Sequence, residues 1–174
     1  GKHRLKSTFK AFAIEQGNKK FSPEWFSDFA SFFSKQGIVA LAFFMCSLFA
    51  QQIRAELKAF PFLELTGDPG AGKSTILEFL FKLLGRDDHE GVDTGAISKA
   101  SVGRIFSQVS NMPISLIEAD SRQREKGKHG AFNFESLKTA FNGRPIRTIA
   151  SFNRSNDVEE SPFYGTIVIS QNDE

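Results

Sequence analysis

With 174 residues, the chain is long enough for one domain, or one domain with a helical appendage, and can bury a substantial core. Its 22 Lys and Arg against 20 Asp and Glu leave a formal charge of +2, too small to announce a nucleic-acid partner in bulk, so electrostatic attraction must come from local clusters. The one cysteine, Cys46, excludes an internal disulfide and a multi-cysteine zinc site, and the expected compartment is the reducing cytoplasm.

The N-terminal "GKHRLKSTFK" is followed by no apolar core and does not read as a signal peptide. In "FSPEWFSDFASFF", Ser22 can cap a helix, Pro23 suits its first position and Glu24 faces the positive end of its dipole. Trp25, Phe26, Phe29, Phe32 and Phe33 then recur at the spacing of one helix face. Gly37 separates this helix from a second, expected over residues 38–59 and ended by Pro61. The apolar run 38–50 is well short of the roughly 20 residues that span a bilayer, and Gln51, Gln52 and Arg54 close it. It reads as a buried helix holding Cys46 as an inert thiol, and no membrane partner is expected. Residues 1–60 thus form a helical lead-in with no visible chemistry.

From Pro61 onward the pattern alternates between strand and helix, the mark of an α/β fold with a parallel sheet and flanking helices. Strands are expected at 62–66, weakly at "GVDT" from Gly91, at 112–120 and at 164–173. Helices are expected at 74–84, at 98–110 with Val102, Ile105, Phe106 and Val109 on one face, and at 133–141. Residues 121–130 form a polar, charged loop, and 145–153 can start a hairpin.

The chemistry enters at "GDPGAGKST". Gly67, Asp68, Pro69, Gly70, Ala71, Gly72, Lys73 and Ser74 satisfy G-x-x-x-x-G-K-[ST] after a strand and before a helix, and Thr75 follows. Glycines allow torsions and close approach that a side chain forbids, and successive N–H groups with the helix N-terminus make an anion nest. Lys73 supplies a mobile charge for the outer phosphates of ATP, and Ser74 a hydroxyl for Mg²⁺. Further on, "ISLIEAD" ends a buried strand in Glu118 and Asp120, which can reach the metal and polarise an attacking water; either acid can face the metal, with the other as helper. The last strand runs into Gln171 and Asn172, where the Asn172 amide can orient water against the terminal phosphate.

Taken in order, Lys73-Ser74, "LIEAD", "LKTAFNGRPIRTIASFN" and "FYGTIVISQN" resemble the motif series of AAA+ ATPases, within the ASCE division of P-loop NTPases. The nearest likeness is to the superfamily-3-type helicases of phages, viruses and plasmids, including the helicase halves of primase–helicase proteins. The likeness covers about residues 60–173. The turn Asn142-Gly143-Arg144 departs from the double glycine and acid that the family usually carries there. The resemblance implies a P-loop ATPase core over 61–174, ending short of a fifth strand and an arginine finger. It implies catalytic roles for Lys73, Glu118, Asp120 and Asn172, a homo-oligomeric ring, and a possible primase domain or partner. It implies contact with single-stranded DNA through Lys138, Arg144, Arg147 and Arg154. Two other readings stand beside it: a P-loop kinase, with 121–130 as its lid, and a nucleotide-binding assembly module.

Overall fold

The computed structural model describes residues 22–87, 89–96, 99–117, 134–146, 148–150, 158–160 and 162–172. Helix α1 (Glu24–Ser47) and helix α2 (Ala50–Leu57) precede strand β1 (Leu63–Gly67) and helix α3 (Lys73–Leu83). Strand β2 (Val92–Asp93), helix α4 (Lys99–Ser107) and strand β3 (Ser110–Ile117) follow. A 3-10 helix (Phe134–Asn142), strands β4 (Thr148–Ala150) and β5 (Val158–Glu160), and strand β6 (Tyr164–Asn172) complete the order.

Four strands make one all-parallel sheet in the order β1-β6-β3-β2, and β4 and β5 pair separately as an antiparallel hairpin. The expected α/β class with a parallel sheet is therefore present. The last strand in the chain lies inside the sheet, and its two faces account for both cores. Val168 packs with Phe29, Ala40 and Phe44 of α1 and with Ile76, Leu77, Leu80 and Phe81 of α3. On the other face Ile167 packs with Val102 and Phe106 of α4, with Ile114 and Leu116 of β3, and with Leu137 and Ala140 of the 3-10 helix. A strand apolar on both faces, as "TIVI" is, belongs in such a position.

The helical segment departs from expectation in three places. The chain leaves helical torsions at Ser34 (φ 56°), not at Gly37. Gly37 is instead buried under Phe33, where a Cβ would lie 2.2 Å from the Phe33 Cβ. The helix expected over 38–59 is two helices. Ser47 Oγ donates to the Phe43 carbonyl four residues back at 2.8 Å, a bond that bends helices, and accepts the buried Thr166 hydroxyl at 2.7 Å. Helix α2 then restarts with its Gln51 N–H donating to Asn111 Oδ1 at 3.1 Å, a cap supplied from β3. Third, Cys46 is exposed rather than buried. The helix carrying the apolar run is also longer than that run. By length and composition α1 could span a membrane, and here its Phe29, Ala40 and Phe44 pack on α3 and β6 while Phe32 and Val39 stay exposed.

Boundaries shift elsewhere. The helix expected over 98–110 ends at Ser107, and Ser110 already pairs in β3. The helix expected over 133–141 is a 3-10 helix.

Arg54 of α2, only 9% exposed, ties three elements together. Its Nη2 donates to the Ala140 carbonyl at 3.1 Å, Nε to Phe141 at 3.4 Å and Nη1 to Phe163 at 3.5 Å. The guanidinium also lies over the Phe60 and Phe163 rings. Burial lowers its pKa from the usual arginine value. By contrast the buried Ser115 Oγ has no partner among the described residues.

Removing Arg54 takes one donor from each of three carbonyls, of which Ala140 and Phe141 keep the Gly143 and Phe60 N–H groups, and takes the cation from two rings. Arg54→Ala is expected to lower the unfolding free energy by about 3 kcal/mol. Ser115→Ala loses no hydrogen bond and should shift it by less than about 1 kcal/mol, toward stability. Urea titration of the two variants checks both. His89 packs edge-on against Phe81, and burial, with the nearby Arg86 charge, pushes its pKa down from 6.5 to about 4. Between those values the unfolded chain binds more protons than the folded one, so acidification favours unfolding. Stability should therefore fall as pH drops from about 6.5 toward 4. His89→Leu should flatten that part of the curve, measured as thermal midpoint against pH.

Candidate phosphate-binding site

Strand β1 ends at Gly67, and the turn after it is shaped by two glycines in the left-handed region, Gly70 (φ 84°) and Gly72 (φ 87°). A Cβ built on either would meet no atom within 4 Å. Backbone torsion, not crowding, therefore demands glycine there, and the space beside the turn stays open. Gly72 is the N-cap of α3 and supplies no side-chain cap. The N–H groups of the first helical turn, from Lys73 to Thr75, have no carbonyl behind them within the helix. Such donors, together with the helix dipole, suit an anion.

The turn borders a cleft of about 250 Å³ lined by Pro69, Gly70, Gly72, Lys73, Ser74, Thr75, Ile117, Ser170, Gln171 and Asn172. Sites that engulf a whole small ligand run to roughly 300–1,000 Å³. The cleft is smaller than that and is of a size for a small anionic group. Lys73 folds back on the turn, its Nζ donating to the Gly67 carbonyl at 2.5 Å and the Asp68 carbonyl at 2.9 Å. The cleft persists with the lysine in that pose. An incoming phosphate would exchange two neutral acceptors for a charged one, the stronger partner for an ammonium.

Strand register sets what faces the turn. Gly67 is paired with Asn172, Thr66 with Gln171 and Leu65 with Ser170. The polar end of β6 is thus held beside the first glycine of the turn. On the far side of β6, Ile117 at the end of β3 pairs with Ser170 and also lines the cleft. Of the expected site residues, Gly67 to Thr75 and Asn172 come together here. Glu118 and Asp120 lie outside the described residues, so the metal set is represented only by Ser74, which borders the cleft. Among the described residues no group of three or more His, Cys, Asp or Glu gathers as a metal site.

Of the expected nucleic-acid residues, the two described ones, Lys138 and Arg144, do not line the cleft. Arg147 and Arg154, and the charged loop 121–130, lie outside the described residues. Lys138 is exposed and paired with Glu135 at 3.1 Å, a surface contact worth little that still occupies its charge. Arg144 is exposed, and its neighbour Gly143 accepts the Phe163 N–H at 3.1 Å, at the N-terminal end of β6. At about 3.3 Å per residue, the length of β6 puts Arg144 on the order of 25 Å from the cleft. Sequence reasoning singled out Asn172 at the strand end and gave no site role to Ile117, Ser170 and Gln171, which line the cleft, or to Glu64. Gln171 lines the cleft, and its Nε2 donates to Glu64 Oε1 on β1. A charged residue inside the apolar run "FLELT" was the available signal.

Neither a protein-family model nor a curated protein matches the chain.

Because Gly72 lacks steric contacts but needs a left-handed torsion, Gly72→Ala is expected to cost about 1–2 kcal/mol of stability, measured by urea unfolding.

Proposed function

We propose that the chain is the ATP-hydrolysing core of a DNA helicase or translocase of the P-loop, AAA+-like kind, working as a homo-oligomeric ring in the replication of a phage or mobile element. The observation that carries the ATPase reading is the cleft itself. A glycine turn and an uncapped helix N-terminus face the amide end of β6 across a space sized for phosphates. The ordered resemblance of the later motifs supplies the helicase part.

The sheet order favours hydrolysis over simple binding. With β6 between β1 and β3, the end of β3 stands two strand spacings, about 9–10 Å, from the phosphate turn. In this reading the attacking water would sit past the end of β6, between the acids that follow Ile117 in the sequence and a terminal phosphate held by the turn. In this scheme the turn N–H groups and Lys73 grip the outer phosphates, and Asn172 orients the water. Glu118 or Asp120 takes its proton as the oxygen attacks phosphorus and the bond to the ADP oxygen breaks. Ser74 and the acids would hold Mg²⁺, which when bound polarises the phosphoryl oxygens. A neighbouring subunit's arginine would complete the charge stabilisation. Arg144, with Arg147 and Arg154 later in the sequence, would meet DNA phosphates without regard to sequence and lose grip as salt rises.

Steady-state ATP turnover by the full chain, with and without single-stranded DNA, tests this. DNA should stimulate turnover, and Lys73→Ala should lower kcat at least about 100-fold with the fold intact. Nucleotide binding with turnover indifferent to DNA would remove the helicase reading.

A further inference from the structure

Gln171 and Asn172 are neighbours on β6, yet they serve opposite faces of the sheet. Successive strand residues alternate, so Asn172 shares its face with Ser170 and Leu65, and Gln171 shares the other with Ile169 and Glu64. Both line the cleft. Only Gln171 is tethered: its Nε2 donates to Glu64 Oε1. An ionised carboxylate only accepts, so Glu64 necessarily takes an N–H of the amide. Glu64 itself is exposed, stands three residues before Gly67, and does not line the cleft. It therefore acts on the site through Gln171.

A phosphate oxygen and a carboxylate oxygen are acceptors of like charge, and both are suited to the same amide donor. We infer that Glu64 is a positioning residue that holds Gln171 in the nucleotide-free chain, and that a terminal phosphate in the cleft competes for the Gln171 amide, so that the pair reads triphosphate against diphosphate. This rests on the cleft being a nucleotide site. The charge-assisted Gln171–Glu64 bond opposes the filled state, and the opposition is felt chiefly by the nucleotide that carries the extra phosphate. Release of Gln171 frees the Glu64 carboxylate on β1, whose outer edge has no strand partner among the described residues. The nucleotide state thus sets whether the Glu64 carboxylate at the rim of the sheet is bonded to the Gln171 amide or left to solvent.

Calorimetric titration of the full chain with ADP and with a non-hydrolysable ATP analogue, Mg²⁺ present, tests the inference. The quantity read is the ratio of the two dissociation constants. Glu64→Ala should shift it toward the triphosphate by about five-fold, the factor one net hydrogen bond is worth. Glu64→Gln should shift it less, because its amide oxygen still accepts. In a Gln171→Ala background, Glu64→Ala should leave the ratio unchanged. An unchanged ratio in Glu64→Ala overturns the inference, since a merely structural contact would alter both affinities alike. So does an equal shift without Gln171, which would mean bare repulsion between carboxylate and phosphate. If the unaltered chain binds neither nucleotide, the reading of the cleft fails first and takes this inference with it.

Discussion

Parallel pairing of β6 between β1 and β3 is the constraint on which the remaining structure depends. Its register with β1 sets Asn172 beside Gly67, and its register with β3 sets Ser170 beside Ile117. A slip of one residue would turn every side chain of β6 to the other face. Val168 would leave the α1–α3 core, Ile167 would leave the α4 core, and the Thr166 hydroxyl would lose Ser47. Both cores therefore enforce the alignment that places an amide at the glycine turn. The site is precise because a strand buried on both faces has no tolerated alternative register.

Polar contacts within those cores add specificity that apolar packing lacks. The Thr166–Ser47 bond fixes where α1 ends, and Arg54 fixes where the 3-10 helix and the start of β6 meet. Neither is a bargain in free energy taken alone, since a buried guanidinium must recover its lost hydration from carbonyls and ring faces. What they supply is a single arrangement. Helices α1 and α2 consequently share their packing with the sheet, and α2 takes its cap from Asn111.

Legibility in the sequence followed the range of the interaction. The glycine turn was readable because its cause is local: Gly70 and Gly72 need left-handed torsions, and Lys73 opens a helix shortly after a strand. Strand alternation and the faces of α4 were readable for the same reason, a short period along the chain. The end of α1 at Ser47 was not, because the hydroxyl that accompanies the bend belongs to Thr166. The cap of α2 at Asn111 and the tether of Gln171 at Glu64 likewise join residues far apart in the chain. Gly37 misled for a different reason. It read as a helix breaker, whereas it serves as a seat for Phe33 inside the helix, and the break falls at Ser34 instead.

The distance between the cleft and Arg144 bears on how a motor of this design would work. With the two at opposite ends of β6, no described side chain would touch both an ATP in the cleft and a nucleic acid held at the far end in the proposed motor. Among the described residues, coupling in such a motor would run along β6 or through elements lashed to it. Arg54 sits where such a path would start, gripping the carbonyls of Ala140 and Phe141 just before the turn that carries Arg144, and the carbonyl of Phe163 just before β6 begins. Gly143 completes the junction by accepting the Phe163 N–H while the Arg54 side chain packs against it. A displacement of the 142–145 turn would load this junction, whose other side is a strand held in register by two cores. A rigid strand transmits displacement without itself needing two conformations; the two-state element a motor requires would then be the contacts at its ends. At the cleft end those contacts are the Lys73 bonds to the turn and the Gln171 bond to Glu64, both made with acceptors that a phosphate can replace.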